Sequence, residues 1–497
     1  MKGRFIFILI SKSFLCAAQF AVSPIFTDNM VIQREKPVVI FGSGKSGEEL
    51  NITFLNRQKK TTIDHNNQWK VVFPSAIANN TPQKIIISDG ITKTELHNIL
   101  IGDVWLCSGQ SNMEWPIQYS QNFKEEIASE EKFPLRFYNP EFIGKNMYGK
   151  PYPDSLAQKL YPHSFYEGQW QTSDSSSIAT MSAVGYHFGK EIVKQTGVPV
   201  GLINLAIGGA PIETFINITE LSNHPIFKYK LTKDWLNNEH LPEWIRVRAK
   251  ENIGNSKTVP QDYLGKNHAF KPGFAFEAGI KPLANFAVKG IIFYQGESNA
   301  QEMDRVMEYN KLMKLMIDSY RKLWKNSKLP FYYAQLSSID TARYKSHFWP
   351  EFRDNQRKLM DEVAFTGMAV TSDYGHRTDV HPKNKKVVGE RLSRWALAKD
   401  YFKKIEYFGP KPLKAEFKNN YVIITFDKNL FLSSGEKVIG FFLIGNKPVE
   451  ASIRKNSIVI PCDTKPEYIF YGWSPYSEAN VTDKAGLPLS TFKIKIK

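Results

Sequence analysis

Cysteine is scarce: three in 497 residues, at positions 16, 107 and 462. So few cannot form the disulfide framework of a small stapled domain, and Cys107, set in an apolar run, reads as a small core residue. No cysteine–histidine group has metal-ligand spacing, so neither a metal nor a cofactor is expected. Beyond the N-terminus no apolar run approaches the roughly 20 residues that cross a bilayer, and stable membrane insertion is not expected. Acidic residues are outnumbered, 49 against 65 Lys and Arg, for a formal charge of +16. The bases are scattered in pairs such as Lys59-Lys60, Lys385-Lys386 and Lys403-Lys404. There is no basic helix face and no aromatic-interleaved basic motif, so nucleic acid is not an expected partner. A net positive potential of this kind would instead help to draw in an anionic ligand.

The first 21 residues carry a basic head (Lys2, Arg4), an apolar middle and small residues near Ala17, Ala18 and Ala21. That is the layout of a secretory signal, with cleavage expected near Ala18 to Ala21 and a secreted or periplasmic location, although Lys12 interrupts the apolar stretch. Cys16 follows Ser13-Phe14-Leu15 and lacks the usual small residue beside a lipidated cysteine, so lipidation is not expected. Cleavage leaves only Cys107 and Cys462.

Four segments carry chemistry. The alternating run Val104 to Leu106 leads into Gly109-Gln110-Ser111-Asn112-Met113, which puts a serine on a tight turn where a strand ends and a helix can begin. Unpaired N–H groups at such a helix start suit a developing oxyanion, though a serine there can equally be a cap. The run Gly201 to Ile207 breaks at the pair Gly208-Gly209, where a backbone N–H can face a cleft free of side chains. Lys289 to Tyr294 has the form of a strand buried on both faces, and ends in Gln295-Gly296-Glu297-Ser298-Asn299. Asp373 to Pro382 contains His376, Asp379 and His381 ahead of a helical pattern through Val388, Arg391 and Trp395. One serine, one histidine and a neighbouring carboxylate at strand ends are the parts needed for acyl transfer.

Together these segments resemble the sialate O-acetylesterase family of the SGNH (GDSL-like) hydrolase superfamily. The likeness extends to Phe26 to Arg34, Ala183 to Gly189, Phe276 to Leu283 and Gly486 to Pro488, and so covers nearly the whole mature chain. It implies Ser111 as nucleophile, His381 as general base and Asp379 as the acid that orients the imidazole. The superfamily's usual acid lies three residues before the histidine, where this chain has Thr378, and Glu297 stands as a competing acid. The implied oxyanion hole comprises the N–H groups of Ser111 and Gly209 and one side-chain amide, from Gln295 in preference to Asn299. Asn112, His376 and Asp373 read as structural. The expected reaction is removal of O-acetyl groups from sialic acids through an acyl-enzyme, with O-acetylated sialic acid or another acetylated glycan as the partner. An acetylxylan or other polysaccharide acetylesterase is the alternative, and a non-catalytic carbohydrate-binding surface protein is a third reading.

The expected fold class is α/β. After the signal (1–21), short β-rich runs broken by Gly, Asn and Pro suggest an N-terminal β-sandwich over 22–100. Strand-like runs alternating with helical patterns over 101–407 imply a parallel sheet flanked by helices. The resemblance makes this a flavodoxin-like three-layer α/β/α catalytic domain, with 223–271 as an insertion near the cleft. Short strands return over 408–497 as a C-terminal β-rich region.

Overall fold

A computed structural model describes residues 20–129, 132–443 and 447–497. The expected signal segment, with Cys16, lies outside them apart from Phe20 and Ala21, which pair with Gly44 and Ser43 in antiparallel strands. The architecture is mixed α/β with several sheets.

One long strand, β1 (Lys93–Gly109), organises the chain. Its first half pairs antiparallel with Asn79–Ser88, and its second half lies in a parallel sheet. Burial follows this change: Leu96 alternates with more exposed neighbours, whereas every residue from Ile99 to Gly109 is buried. A strand solvated on one face alternates, and a strand covered on both faces is apolar throughout. The 100/101 position, expected as a domain junction, falls inside this strand. Apolar side chains from Phe20 to Leu397 form one contiguous core across it.

The remaining strands of the sheet are β2 (Leu135–Tyr138), β3 (Trp170–Thr172), β4 (Val200–Asn204), β5 (Gly290–Tyr294), β6 (Phe331–Ala334) and β7 (Thr366–Ala369). Their spatial order is β3-β2-β4-β1-β5-β6-β7, with only the β3–β2 pairing antiparallel. The order reverses direction at β1, the switch point where the carboxyl ends of an open sheet leave a crevice. Helix α1 (Ser111–Glu114) starts there. Helix α2 (Ala183–Thr196) packs on β4, while α3 (Met303–Leu323) packs on α4 (Trp349–Glu362), and α5 (Lys385–Lys399) packs on α2 and β7. Among the described residues no helix is long and apolar enough to cross a membrane.

Residues 223–271 form short turns, a helix Glu243–Ile253 and a small hairpin, and bury Trp235, Leu241, Ile245 and Ile253 in the main core. Beyond α5, antiparallel strands between Pro412 and Lys495 enclose a second core that includes Val422, Ile424, Ile458, Tyr471 and Phe492. Arg353 of α4 joins the two regions. Fully buried, it donates to the carbonyls of Gly472 at 3.0 Å and Pro475 at 3.2 Å.

Candidate active site

Strand β1 ends at Gly109, whose φ of +129° and close approach to the Tyr294 carbonyl leave no room for a side chain. A Cβ there would sit 2.2 Å from that oxygen, so the turn into α1 requires glycine. Gln110 N–H donates to the same carbonyl at 2.9 Å, which fixes the turn to β5. Ser111 follows as the first helical residue, and its N–H has no partner among the described residues.

His381 arrives from the loop between β7 and α5. Its Nε2 lies 2.8 Å from Ser111 Oγ. Asp379 accepts the His381 backbone N–H at 2.9 Å through Oδ1, and the same oxygen is 3.7 Å from His381 Nδ1. That is an ion-pair distance longer than a hydrogen bond, and the carboxylate is 42% exposed. Burial, reinforced by the charge of Lys385 and opposed by Asp379, pushes the His381 imidazole down to about 4, so the ring is uncharged across the physiological range.

Beneath these groups lies a buried polar triad. Asn112 donates through Nδ2 to the Val380 carbonyl at 3.0 Å and to Glu297, and accepts through Oδ1 from Lys385. It thereby ties the helix that Ser111 opens to the loop that carries His381. Burial pulls the Lys385 ammonium down to about 7 and raises the Glu297 carboxyl. Glu297 faces Asn112 rather than His381, and its Oε2 is buried with no hydrogen-bond partner among the described residues.

The glycine pair follows β4. Gly209 has φ +76°, and a Cβ there would meet Trp244 at 2.8 Å. Its carbonyl accepts from Ser298 Oγ at 2.9 Å. Glu114, at the end of α1, accepts from Tyr148 OH at 3.2 Å and from the Gly208 N–H. Loss of solvent pushes its carboxyl up to about 7.

Gln295 departs from expectation. Its amide nitrogen donates to Asn299 Oδ1 at 2.8 Å, Gln110 Oε1 at 3.2 Å and the Ala210 carbonyl at 3.3 Å, while Tyr309 OH donates to its oxygen. The side chain is buried and does not line the cavity that holds Ser111. Gln295 stands just past the end of β5, where the hydrogen bonds with Asn299, Gln110 and Tyr309 hold its amide in the core network instead of the cleft. Asn299 is committed likewise, to Ile212 N–H and Glu213. Gln110 does line the cavity. Its Oε1 accepts from Gln295, Gly296 N–H and Ser298 N–H, which leaves Nε2 without a partner among the described residues.

His376 and Asp373 shape the loop. His376 Nδ1 accepts the Asp379 N–H at 3.0 Å, and Asp373 pairs with Arg391 at 2.7 Å.

The cavity over Ser111 and His381 is about 370 Å³ and open to solvent. Tyr148, Trp244, Arg248, Arg343 and Tyr344 complete its walls. None of these was singled out by sequence, because they come from separate loops with no shared motif. Trp115, which stacks on His381 with ring centroids 4.9 Å apart, stands four residues beyond the nucleophile and had only its proximity as a signal. Ser111 and His381 thus have the contact for proton transfer from a nucleophile to a base, opening on a cleft large enough for a sugar.

Residues 275–398 match the family model described as carbohydrate esterase, sialic acid-specific acetylesterase. The chain is 26% identical over 430 residues to the sialate O-acetylesterase of Homo sapiens, covering 80% of this chain and 74% of that protein. It is 26% identical over 446 residues to the sialate O-acetylesterase of Mus musculus, covering 82% and 79%. A carbohydrate acetylesterase from Xanthomonas citri superposes with a TM-score of 0.78 at 26% identity, covering 96% of this chain and 99% of that one.

Proposed function

We propose that this chain is a serine carboxylic-ester hydrolase that removes O-acetyl groups from sialic acids. The observation that carries the chemistry is the 2.8 Å contact between Ser111 Oγ and His381 Nε2 at the floor of the open cavity. The substrate follows from the sialate O-acetylesterases to which the chain is similar over four-fifths of its length.

Ser111 Oγ attacks the acetyl carbonyl carbon as His381 Nε2 takes its proton. The tetrahedral oxyanion is held by the N–H groups of Ser111 and Gly209 and by Gln110 Nε2, the amide left without a partner among the described residues. Collapse breaks the bond to the sugar oxygen, which takes the proton from His381 and leaves an acetyl-enzyme. Water then attacks the acetyl carbon, gives its proton to His381, and acetate departs as Ser111 recovers that proton. Asp379 orients the imidazole and favours its protonated form. The site needs no metal or cofactor for any of these steps.

The fold reading that accompanies this function is an SGNH-type catalytic unit with three α/β/α layers, flanked by β regions. Helix pairs α2–α5 and α3–α4 against the parallel sheet support it. A secreted or periplasmic location rests on the basic head and apolar middle of residues 1–21.

Acetate release from O-acetylated sialoglycan and from acetylated xylan, measured in parallel with wild type and Ser111→Ala, tests the function. Faster release from the sialoglycan, lost in the variant, is expected. Release from xylan alone would move the substrate to a neutral polysaccharide.

A further inference from the structure

Two guanidiniums line the catalytic cavity, and they differ in their pairing. Arg248, on the helix Glu243–Ile253, pairs with Glu251 at 3.1 Å and leans over the Trp244 ring, 5.9 Å from its centroid. Its charge is therefore largely matched. Arg343 stands in a short turn, Ala342–Tyr344, held by Thr341, whose Oγ1 accepts the Arg343 backbone N–H. Its guanidinium lies 5.6 Å over the Tyr344 ring and has no carboxylate within ion-pair distance among the described residues. The carboxylate on the cavity wall is Glu297, which faces Asn112 at the base. Tyr344, the neighbour of Arg343, lies within electrostatic reach of Asp379 and Glu297 as well as of both arginines.

An unmatched, exposed guanidinium on the wall of a cleft open to solvent is well suited to a carboxylate, because its planar fork can donate two parallel hydrogen bonds. Its place over the Tyr344 ring limits the conformations it must give up on binding. A sialic acid carries one carboxylate in addition to its acetyl esters, and an acetylated xylan backbone carries none. We infer that Arg343 anchors the carboxylate of the acidic sugar while Ser111 attacks its acetyl ester, and so is a specificity-determining residue. The assignment rests on the proposed sialate esterase activity and adds the group that distinguishes an acidic sugar ester from a neutral one.

The test compares kcat/KM of wild type, Arg343→Gln and Arg343→Lys on an O-acetylated sialic acid, on the methyl ester of the same compound and on an acetylated xylooligosaccharide. In Arg343→Gln the ratio of acid to methyl ester is expected to fall by roughly tenfold to a hundredfold, the range of a charge-assisted hydrogen bond lost on one side. Arg343→Lys keeps the charge and loses the fork, so its ratio should lie between the two. An equal loss on acid and methyl ester, or no loss on either, would overturn the carboxylate assignment while leaving the esterase intact. A wild-type enzyme that hydrolyses the xylooligosaccharide and neither sialate would instead overturn the sialate function, and the anchor with it.

Discussion

Trp115 lies nearly flat against His381, with ring centroids 4.9 Å apart and planes inclined by 25°. Trp115 closes the helix that Ser111 opens, and its N–H donates to the Ser111 carbonyl at 2.9 Å. Ser111 and the ring that stacks on His381 are therefore parts of one turn. A ring pair of this kind contributes about 0.5–1.5 kcal/mol beyond its buried area. Replacement of Trp115 by Ala should let the imidazole leave its contact with Ser111 Oγ, and kcat should fall by about tenfold, in line with a lost stack of that size. Trp115→Phe, which keeps a stacking face, should lose much less. Equal activity of Trp115→Ala and wild type on 4-nitrophenyl acetate would show that the stack does not hold the base.

The pH dependence follows from burial. An ordinary histidine titrates at about 6.5, but loss of solvent pushes the His381 imidazole down to about 4. In the proposed mechanism neutral His381 takes the Ser111 proton, so kcat/KM on a neutral ester should rise as pH climbs through about 4 and be flat across neutrality. The same shift bears on stability. A folded-state value below the unfolded one contributes stability that is present above about 6.5 and is lost as pH falls toward 4. A pH–rate profile with its acid limb centred near 6.5 would mean that substrate-free burial does not set the base.

Asp379 and Glu297 can be ranked by geometry. Only Asp379 approaches His381, and it does so at 3.7 Å with its carboxylate 42% exposed. A screened, long contact stabilises an imidazolium less than a buried hydrogen bond does. Asp379→Asn should therefore lower kcat by roughly tenfold to a hundredfold, well short of the ~10⁴ seen when a buried triad acid is neutralised. Glu297→Gln keeps the size of the side chain but changes its bond with Asn112 and removes the charge facing Lys385. Its expected effect is on thermal stability more than on kcat. The opposite ranking, by paired kinetics and melting curves, would make Glu297 the acid.

The parts of the site that could be read in the sequence are those held in short contiguous motifs. Ser111 follows a glycine turn and His381 precedes a proline, so residue type and local backbone together point to their chemistry. The apolar runs 200–204 and 290–294 read as strands covered on both faces, and they form the parallel sheet beside β1. Arg343, Tyr344 and Trp244 belong to a surface turn and an inserted helix that share no motif with the other segments of the site, and they meet the cleft only through the fold. The two glutamines show a different limit. Gln110 and Gln295 both stand at strand ends, and either amide could face the cavity. The three acceptors around Gln295 Nε2 become visible only when β1, β4 and β5 are side by side.

That difference between the glutamines can be measured. Gln110 Oε1 is held by Gly296 N–H at 3.3 Å and Ser298 N–H at 3.2 Å, which points the rest of the amide toward the cavity that Ser111 shares. Gln110→Glu preserves the accepting oxygen and replaces the donor with an acceptor, so the developing oxyanion loses one hydrogen bond and meets a lone pair. The expected loss is about 10² to 10³ in kcat with little change in KM, the effect of removing one oxyanion donor. Gln295→Glu removes donors from a buried network and should lower the melting temperature first, with the surviving folded fraction retaining most of its kcat. If Gln110→Glu turns over an ester at the wild-type rate while folded Gln295→Glu does not, the third donor belongs to Gln295, and the buried network around it must open when substrate binds.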